Sequence, residues 1–324
     1  MRAVRFRRYG GPEVLRVEDV ETPAPAEGQL LVRVHATTVS TAEMAMRKGE
    51  PFFARLVSGL RRPRKPTTPG SELAGEVAAV GPGVSRFAPG DRVVGSTGVS
   101  LGANAEYAVL EQDGALARIP DGASFEDAAV VCEGGLTALP FLRNAGRIAA
   151  GERVLINGAS GGVGSAAVQL AKHFGAHVIG VCSAGSAELV QSLGADEVID
   201  YRTTDFTTTG QFYDIVFDVV GNSSYGRCRG SLNPGGRYLR TVPSLGVLAQ
   251  MLWTSRVGSK RATLMFTGLR KPAEKSKDLG FLMGLLESGA IRPVIGKRFE
   301  LDASVDAHRY VEGGGKQGSV VLSV

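Results

Sequence analysis

Between residues 153 and 174 an apolar run, RVLIN, gives way to the loop GASGGVGS and then to AAVQLAKHF. No other stretch limits the choice of fold so strongly. A strand, a loop in which Gly158, Gly161, Gly162 and Gly164 crowd together, and an amphipathic helix make the opening of a βαβ unit. A pyrophosphate needs backbone N–H donors at the positive end of a helix dipole, and it needs glycine wherever a Cβ would block its approach. The spacing is not a strict GxGxxG. What gives the loop meaning is the strand before it, the helix after it and a further βαβ unit behind it. Val163, Ala166, Ala167, Leu170 and Ala171 recur at helical spacing and are predicted to face the sheet.

That unit sits in a longer alternation of strands and helices: HVIGVCS, SAELVQSLGA, EVIDY, DIVFDVVG and GRYLRTV follow in order. Short apolar strands linked by amphipathic helices predict a doubly wound parallel sheet, placed here at 124–265. Ser124 with Asp127 three positions on has the form of a capping box opening a helix. The first 120 residues read differently. QLLVRVHA sets Leu30, Val32, Val34 and Ala36 against Leu31, Arg33 and His35, the period of a half-buried strand, and ELAGEVAAVG, DRVVG and AEYAVL continue it. A small β-barrel domain is expected over 1–123 and, discontinuously, 266–324, where RPVIGKRFELD, HRYVEGG and SVVLSV read as short strands and turns.

An NAD site places an acid at the end of its second strand, about 20 residues past the glycines, to hold the ribose 2′-OH. Here that strand ends in Val181, Cys182 and Ser183, and the next acid is Glu188, inside a helix. Without that carboxylate nothing repels a 2′-phosphate. Ser183 and Tyr201 offer hydroxyl donors, so NADP is favoured, against the plainer reading of Tyr201 as a strand-end aromatic.

Composition excludes several other classes. With 43% hydrophobic and 21% charged residues among 324, the chain is globular rather than disordered. The net charge of +5 has its densest patch in RRPRKP at 61–66. Two prolines make that patch a loop, read as a solvated basic surface or as a cover over the substrate cleft. No nucleic-acid-binding motif accompanies it. No apolar run is long enough to span a bilayer, and a cytoplasmic protein is expected. Cys132, Cys182 and Cys228 read as reduced, buried residues. His35, His173, His177 and His308 stand at no zinc-ligand spacing.

The blocks PGSELAGEVAAVGPGVSRFAPGDRVVG, GLTAL, GERVLINGASGGVGSAAVQLAKHFGAHVIGVCS, SLGADEVIDY and YDIVFDVVG, with the RPVIGKRFEL and HRYVEGG ending, together resemble the medium-chain dehydrogenases/reductases, in their zinc-independent quinone oxidoreductase branch. The resemblance implies a GroES-like barrel with a Rossmann domain, NADPH as cofactor, a cleft between domains as active site, and a homodimer. It carries Gly158, Ser160, Gly161, Gly162, Val163 and Gly164 onto the pyrophosphate loop and Ser183 with Tyr201 onto the 2′-phosphate side. Thr137 falls beside the nicotinamide ribose, and Val220 with Gly221 on a turn near the adenosine ribose. Relatives often have Lys or Arg where this chain has Gly185, Asn where it has Ser40 and Tyr where it has Ala45. Zinc-dependent members carry ligands at positions that match Ser40 or its neighbours, Ser71 in GSE, and Glu133 next to Cys132.

Without zinc, the oxyanion left by hydride transfer must be stabilised by hydrogen bonds or by the substrate's own conjugation. Quinones and α,β-unsaturated carbonyls provide the second, with a proton from water. Ser40 is the one catalytic candidate, as a hydrogen-bond donor to the substrate oxygen; as a plain turn residue it would do nothing. Met44, Met46, Phe52, Phe53, Trp253 and Phe266 are candidates to line a pocket for a hydrophobic substrate, or else are core. Two alternatives stand beside this reading: an NADH-dependent reductase of the same fold, and a catalytically silent protein that binds nucleic acid through RRPRKP.

Overall fold

The computed structural model describes residues 1–50, 55, 59–65 and 67–324, and the chain divides into two compact units, Met1–Glu133 with Gly268–Val324, and Gly134–Thr267. Phe52, Phe53 and Pro66 lie outside the described residues.

In the first unit β1 (Arg2–Arg5) and β2 (Arg16–Asp19) form an antiparallel pair. The main sheet grows around β3 (Gln29–Thr38), which pairs antiparallel with both β4 (Glu72–Val80) and β6 (Tyr107–Glu111). Strand β4 continues to β5 (Arg92–Ser96), and β5 to β7 (Ala115–Arg118). The predicted alternation along β3 holds: Leu30, Val32 and Val34 are buried with Leu73, Val77, Val93 and Leu116, while Arg33 is exposed. Each such fully buried Val or Leu contributes about 1.5–3 kcal/mol.

A helix that the strand pattern did not predict, α1 (Thr41–Lys48), follows β3. Ser40 caps its start, accepting from the Glu43 amide at 3.3 Å, and Gly49 ends it in the left-handed region at φ 71°. Good helix formers, an acid in the first turn and two bases in the last account for it. Helix α2 (Phe125–Pro140) opens on the expected capping box, with the Asp127 amide donating to Ser124 Oγ at 3.0 Å and the Ser124 amide to Asp127 Oδ2 at 3.4 Å.

The second unit is the doubly wound sheet. Strands β8 (Arg153–Asn157), β9 (His177–Cys182), β10 (Glu197–Asp200), β11 (Tyr213–Asp218), β12 (Leu232–Arg240) and β13 (Arg261–Leu264) are all parallel, in the order β10-β9-β8-β11-β12-β13. The chain starts in the middle, runs outward one way, then returns and runs outward the other way. The strand order therefore reverses between β8 and β11, and the carboxyl ends of those two strands open a crevice. Helices α3 (Gly162–His173), α4 (Ala187–Ser192), α5 (Tyr225–Cys228) and α6 (Leu245–Thr254) fill the connections. On α3 Ala167, Leu170 and Ala171 are buried as the helical spacing predicts, with Gly164 and Val168 beside them, whereas Val163 and Ala166 are half-buried.

From Gly268 the chain adds α7 (Pro272–Glu287), β14 (Ile295–Glu300), α8 (Ser304–Glu312) and β15 (Ser319–Ser323) to the first unit. Strand β15 pairs antiparallel with β3, Val321 opposite Thr38, and parallel with β14. The stretch read as short strands and turns thus contains two helices as well, and HRYVEGG is the end of α8 rather than a strand. Met44 packs with Val39, Ala307, Val311, Val320 and Leu322, so it belongs to the core.

Candidate functional site

The glycine loop leaves β8 on the edge where the strand order reverses. Gly158 has φ 90°, and a Cβ there would stand 2.4 Å from Val220 Cγ2. A Cβ on Gly164 would stand 2.0 Å from the Gly158 carbonyl oxygen. The fold itself demands both of these glycines. Gly161 is different: its backbone is extended, with φ −79° and ψ 176°, and a Cβ would meet nothing closer than the Gly158 oxygen at 3.7 Å. Nothing inside the protein requires glycine at 161, so its bareness leaves room for something outside.

Gly161 is also the N-cap of α3 and brings no side-chain cap. Helices α1, α5 and α6 are each capped by a serine, Ser40, Ser224 and Ser244. The first-turn amides of α3 lack intrahelical partners and carry the positive end of the dipole. An uncovered cradle that a Cβ at 161 would fill, ending in uncapped donors, fits a pyrophosphate.

A second turn, residues 219–223, closes the other side of the crevice. Asp218, fully buried at the end of β11, accepts from Asn157 Nδ2 at 2.8 Å, the Gly221 amide at 2.9 Å, the Ser223 amide at 3.0 Å and the Tyr238 hydroxyl at 2.8 Å. Arg240 holds the same turn by its carbonyls, donating to Ser223 at 2.9 Å and Gly221 at 2.6 Å, and Thr241 Oγ1 donates to the Val219 carbonyl at 2.7 Å. Burial and the Asp218 carboxylate push the Tyr238 hydroxyl far above its ordinary range, so it stays a donor. Gly221, at φ 75°, sits where a Cβ would lie 2.6 Å from Val242. Val220, half exposed, presents its side chain to Gly158.

Of the predicted cofactor residues, the structure therefore brings Gly158, Ser160, Gly161, Gly162, Val163, Gly164, Val220 and Gly221 to one edge of the sheet. Ser183 and Tyr201 follow β9 and β10 on the same edge, and the Tyr201 amide donates to the Cys182 carbonyl at 3.2 Å. Thr137 is half-buried on α2, one turn past Gly134, which packs so closely on α3 that a Cβ would lie 2.7 Å from the Gly162 carbonyl.

Ser40 lies in the first unit beside a feature the sequence pattern did not disclose. Its hydroxyl is 3.5 Å from Glu43 Oε1, and Glu43 is 1% exposed. Burial first, and then the neighbouring Glu72 and Glu133, push the Glu43 carboxyl well above the usual range, against the Ser71 amide and the Asn104 side chain. Burial and the Glu133 charge raise Glu72 to about 7, opposed by Ser71, Lys275 and Ser96. Burial and the same two glutamates raise the Cys132 thiol. The available signal was a lone glutamate among small or apolar residues, as in GSELAG and VVCEGG. No group of three or more His, Cys, Asp or Glu side chains is poised to hold a metal ion among the described residues. No helix among them is long and apolar enough to cross a membrane.

Comparison with known proteins agrees with this architecture. Residues 26–121 match the family described as alcohol dehydrogenase GroES-like domain, and 193–322 that described as zinc-binding dehydrogenase. The human quinone oxidoreductase is 33% identical over 335 residues, covering 99% of this chain and 97% of its own. The quinone oxidoreductase structure from Coxiella burnetii superposes with a TM-score of 0.90 at 29% identity, covering 100% of this chain and 99% of its own. That of Escherichia coli quinone oxidoreductase complexed with NADPH gives 0.85 at 30% identity, with full coverage of both. A GroES-like unit with a Rossmann unit of this strand order defines the medium-chain dehydrogenases/reductases, and within that class the chain belongs to the quinone oxidoreductase family.

Proposed function

We propose that the protein is an NADPH-dependent reductase of quinones or α,β-unsaturated carbonyls that works without a metal. The observation that carries this is the bare, uncapped loop at 158–164 facing the clamped turn at 219–223, with Ser183 rather than an acid at the end of β9. The relative from Escherichia coli, complexed with NADPH, supports the same cofactor here.

When bound, the reduced nicotinamide supplies the hydride. The chain's own residues hold and orient: the α3 amides and Gly161 take the pyrophosphate, Val220 and Gly221 border the adenosine ribose, Thr137 the nicotinamide ribose, and Ser183 with Tyr201 the 2′-phosphate. Ser40 and Ser71 supply neither thiolate nor imidazole at the positions where zinc-dependent members carry ligands, so the reaction suits acceptors whose conjugation spreads the developing charge. Among the described residues the Ser40 hydroxyl hydrogen is held only by the 3.5 Å contact to Glu43, and it can turn to a substrate oxygen.

Among the described residues the edge strand β13 pairs only with β12, and Leu245 and Leu252 of the neighbouring α6 are exposed, which supports a homodimer, to be checked by sedimentation. The test of the function is a panel of quinones and enones with nucleotide oxidation followed at saturating NADPH and at saturating NADH. Turnover of conjugated acceptors with NADPH, undiminished by chelators, is expected. Failure on every conjugated acceptor overturns the proposal.

A further inference from the structure

We infer that Arg202 is the cation that grips the 2′-phosphate of NADPH, supplying a charge that Gly185 cannot; this rests on the NADPH reading above and adds the residue that decides it.

Strands β9 and β10 pair in parallel with Cys182 opposite Asp200, and the Tyr201 amide donates to the Cys182 carbonyl at 3.2 Å. Residues 183 and 201–202 therefore leave neighbouring strand ends side by side, on the edge that carries the glycine loop. The Arg202 guanidinium lies 5.9 Å from the centre of the Tyr201 ring, and both side chains are exposed. Other arginines of this unit are committed: Arg153 to Glu197, Arg227 to Asp205 and Arg237 to Glu152. The Arg202 guanidinium has no ion-pair partner among the described residues.

The nearest acid does not compete for it in the way an NAD-type carboxylate would. Asp200 ends β10, not β9, and its Oδ1 is occupied with the Arg202 backbone amide at 3.0 Å. That bond turns the chain at the strand end. Across from it, a Cβ on Gly185 would have nothing within 4 Å, so the space beside Ser183 is open. The two hydroxyls carried at these strand ends, by Ser183 and Tyr201, lack the charge a phosphate dianion requires when it leaves water. A planar guanidinium stacked beside a tyrosine matches two phosphate oxygens at once and loses little freedom in doing so.

The experiment is a fluorescence titration of the full chain with NADPH and with NADH, in wild type, Arg202→Ala and Arg202→Lys, with 2′-AMP and 5′-AMP as competitors. Wild type is expected to bind NADPH more tightly than NADH. Arg202→Ala should weaken NADPH by about tenfold to a hundredfold and leave NADH within about twofold, with Arg202→Lys between. 2′-AMP should displace NADPH better than 5′-AMP from wild type and lose that advantage in Arg202→Ala. The exposed position makes a folding defect an unsuitable explanation, and a thermal melt checks it. If wild type prefers NADPH and Arg202→Ala keeps the preference, the role of Arg202 is overturned while the cofactor reading stands. If wild type binds both nucleotides equally, both are overturned.

Discussion

Asn157 donates its side-chain N–H to Asp218 at 2.8 Å, and to Asn222 at 2.7 Å. One residue ends β8 just before the glycine loop and the other ends β11 just before the second turn. The bond thus joins the two walls of the crevice at their roots. Because Asp218 is fully buried and accepts from four donors, neither wall can move without breaking charge-assisted bonds.

Asp218→Ala should therefore cost more than a single contact. It strands the Asn157, Gly221, Ser223 and Tyr238 donors in a buried space, and a loss of about 3 kcal/mol or more in urea unfolding is expected. Nucleotide affinity should fall with it. Unchanged stability would mean that the turn is held by Arg240 and Thr241 alone.

Two glycines of the loop should respond in opposite ways. Gly164→Ala drives a Cβ into the Gly158 carbonyl, so the melting temperature should drop steeply. Gly161→Ala has room, and its cost to stability should stay below about 1 kcal/mol, the range of an N-cap change. Its cost should appear in nucleotide binding. Equal binding by Gly161→Ala and wild type would remove the pyrophosphate from that position.

Stability should fall on both sides of a maximum near mildly acidic pH. His308 is buried with both ring nitrogens unpartnered among the described residues, and burial and Arg47 lower it to about 4. The unfolded chain takes up that proton near 6.5 and the folded one only near 4, so stability drops as pH falls through this window, by up to roughly 3 kcal/mol. Glu72 works the other way. Raised to about 7, it favours folding in its protonated form, a contribution fully present below its ordinary value of 4.5 and lost as pH rises through 7. His308→Leu should flatten the acid limb and Glu72→Gln the alkaline one, as read by unfolding from pH 4 to 8.

The three thiols should be silent to a disulfide reagent at neutral pH until the chain unfolds. Cys132 and Cys228 are fully buried and Cys182 is 2% exposed, and burial raises all three, Cys228 to about 11. Rapid labelling of native protein would contradict this.

The parts of the fold that sequence discloses are those with one local cause. NGASGGVGSA is legible because a Cβ at Gly158 or Gly164 has nowhere to go, and Ser124 with Asp127 because a capping box is closed within four residues. Helix α8 is not, since HRYVEGG has strand-like residues and its helical state comes from packing Ala307 and Val311 against β15 and Met44. Nor is the glutamate group. Glu43, Glu72 and Glu133 stand on α1, β4 and α2, and only the folded barrel makes them neighbours. The resemblance could match Glu133 to a ligand position of zinc-dependent members but could not show which carboxyls share its space. Arg202 is not legible in the sequence for a related reason: its relevance comes from the register of β10 on β9, not from its distance along the chain.

The buried glutamates also alter what unfolding does to the surrounding solution. The formal charge of +5 counts every carboxyl as ionised. With Glu72 held at about 7, roughly half of the folded molecules keep that carboxyl protonated at pH 7, and the proton is released to solvent when the barrel opens. The heat absorbed in a calorimetric scan at pH 7 should therefore shift between buffers of small and large ionisation enthalpy, and the shift should shrink in Glu72→Gln.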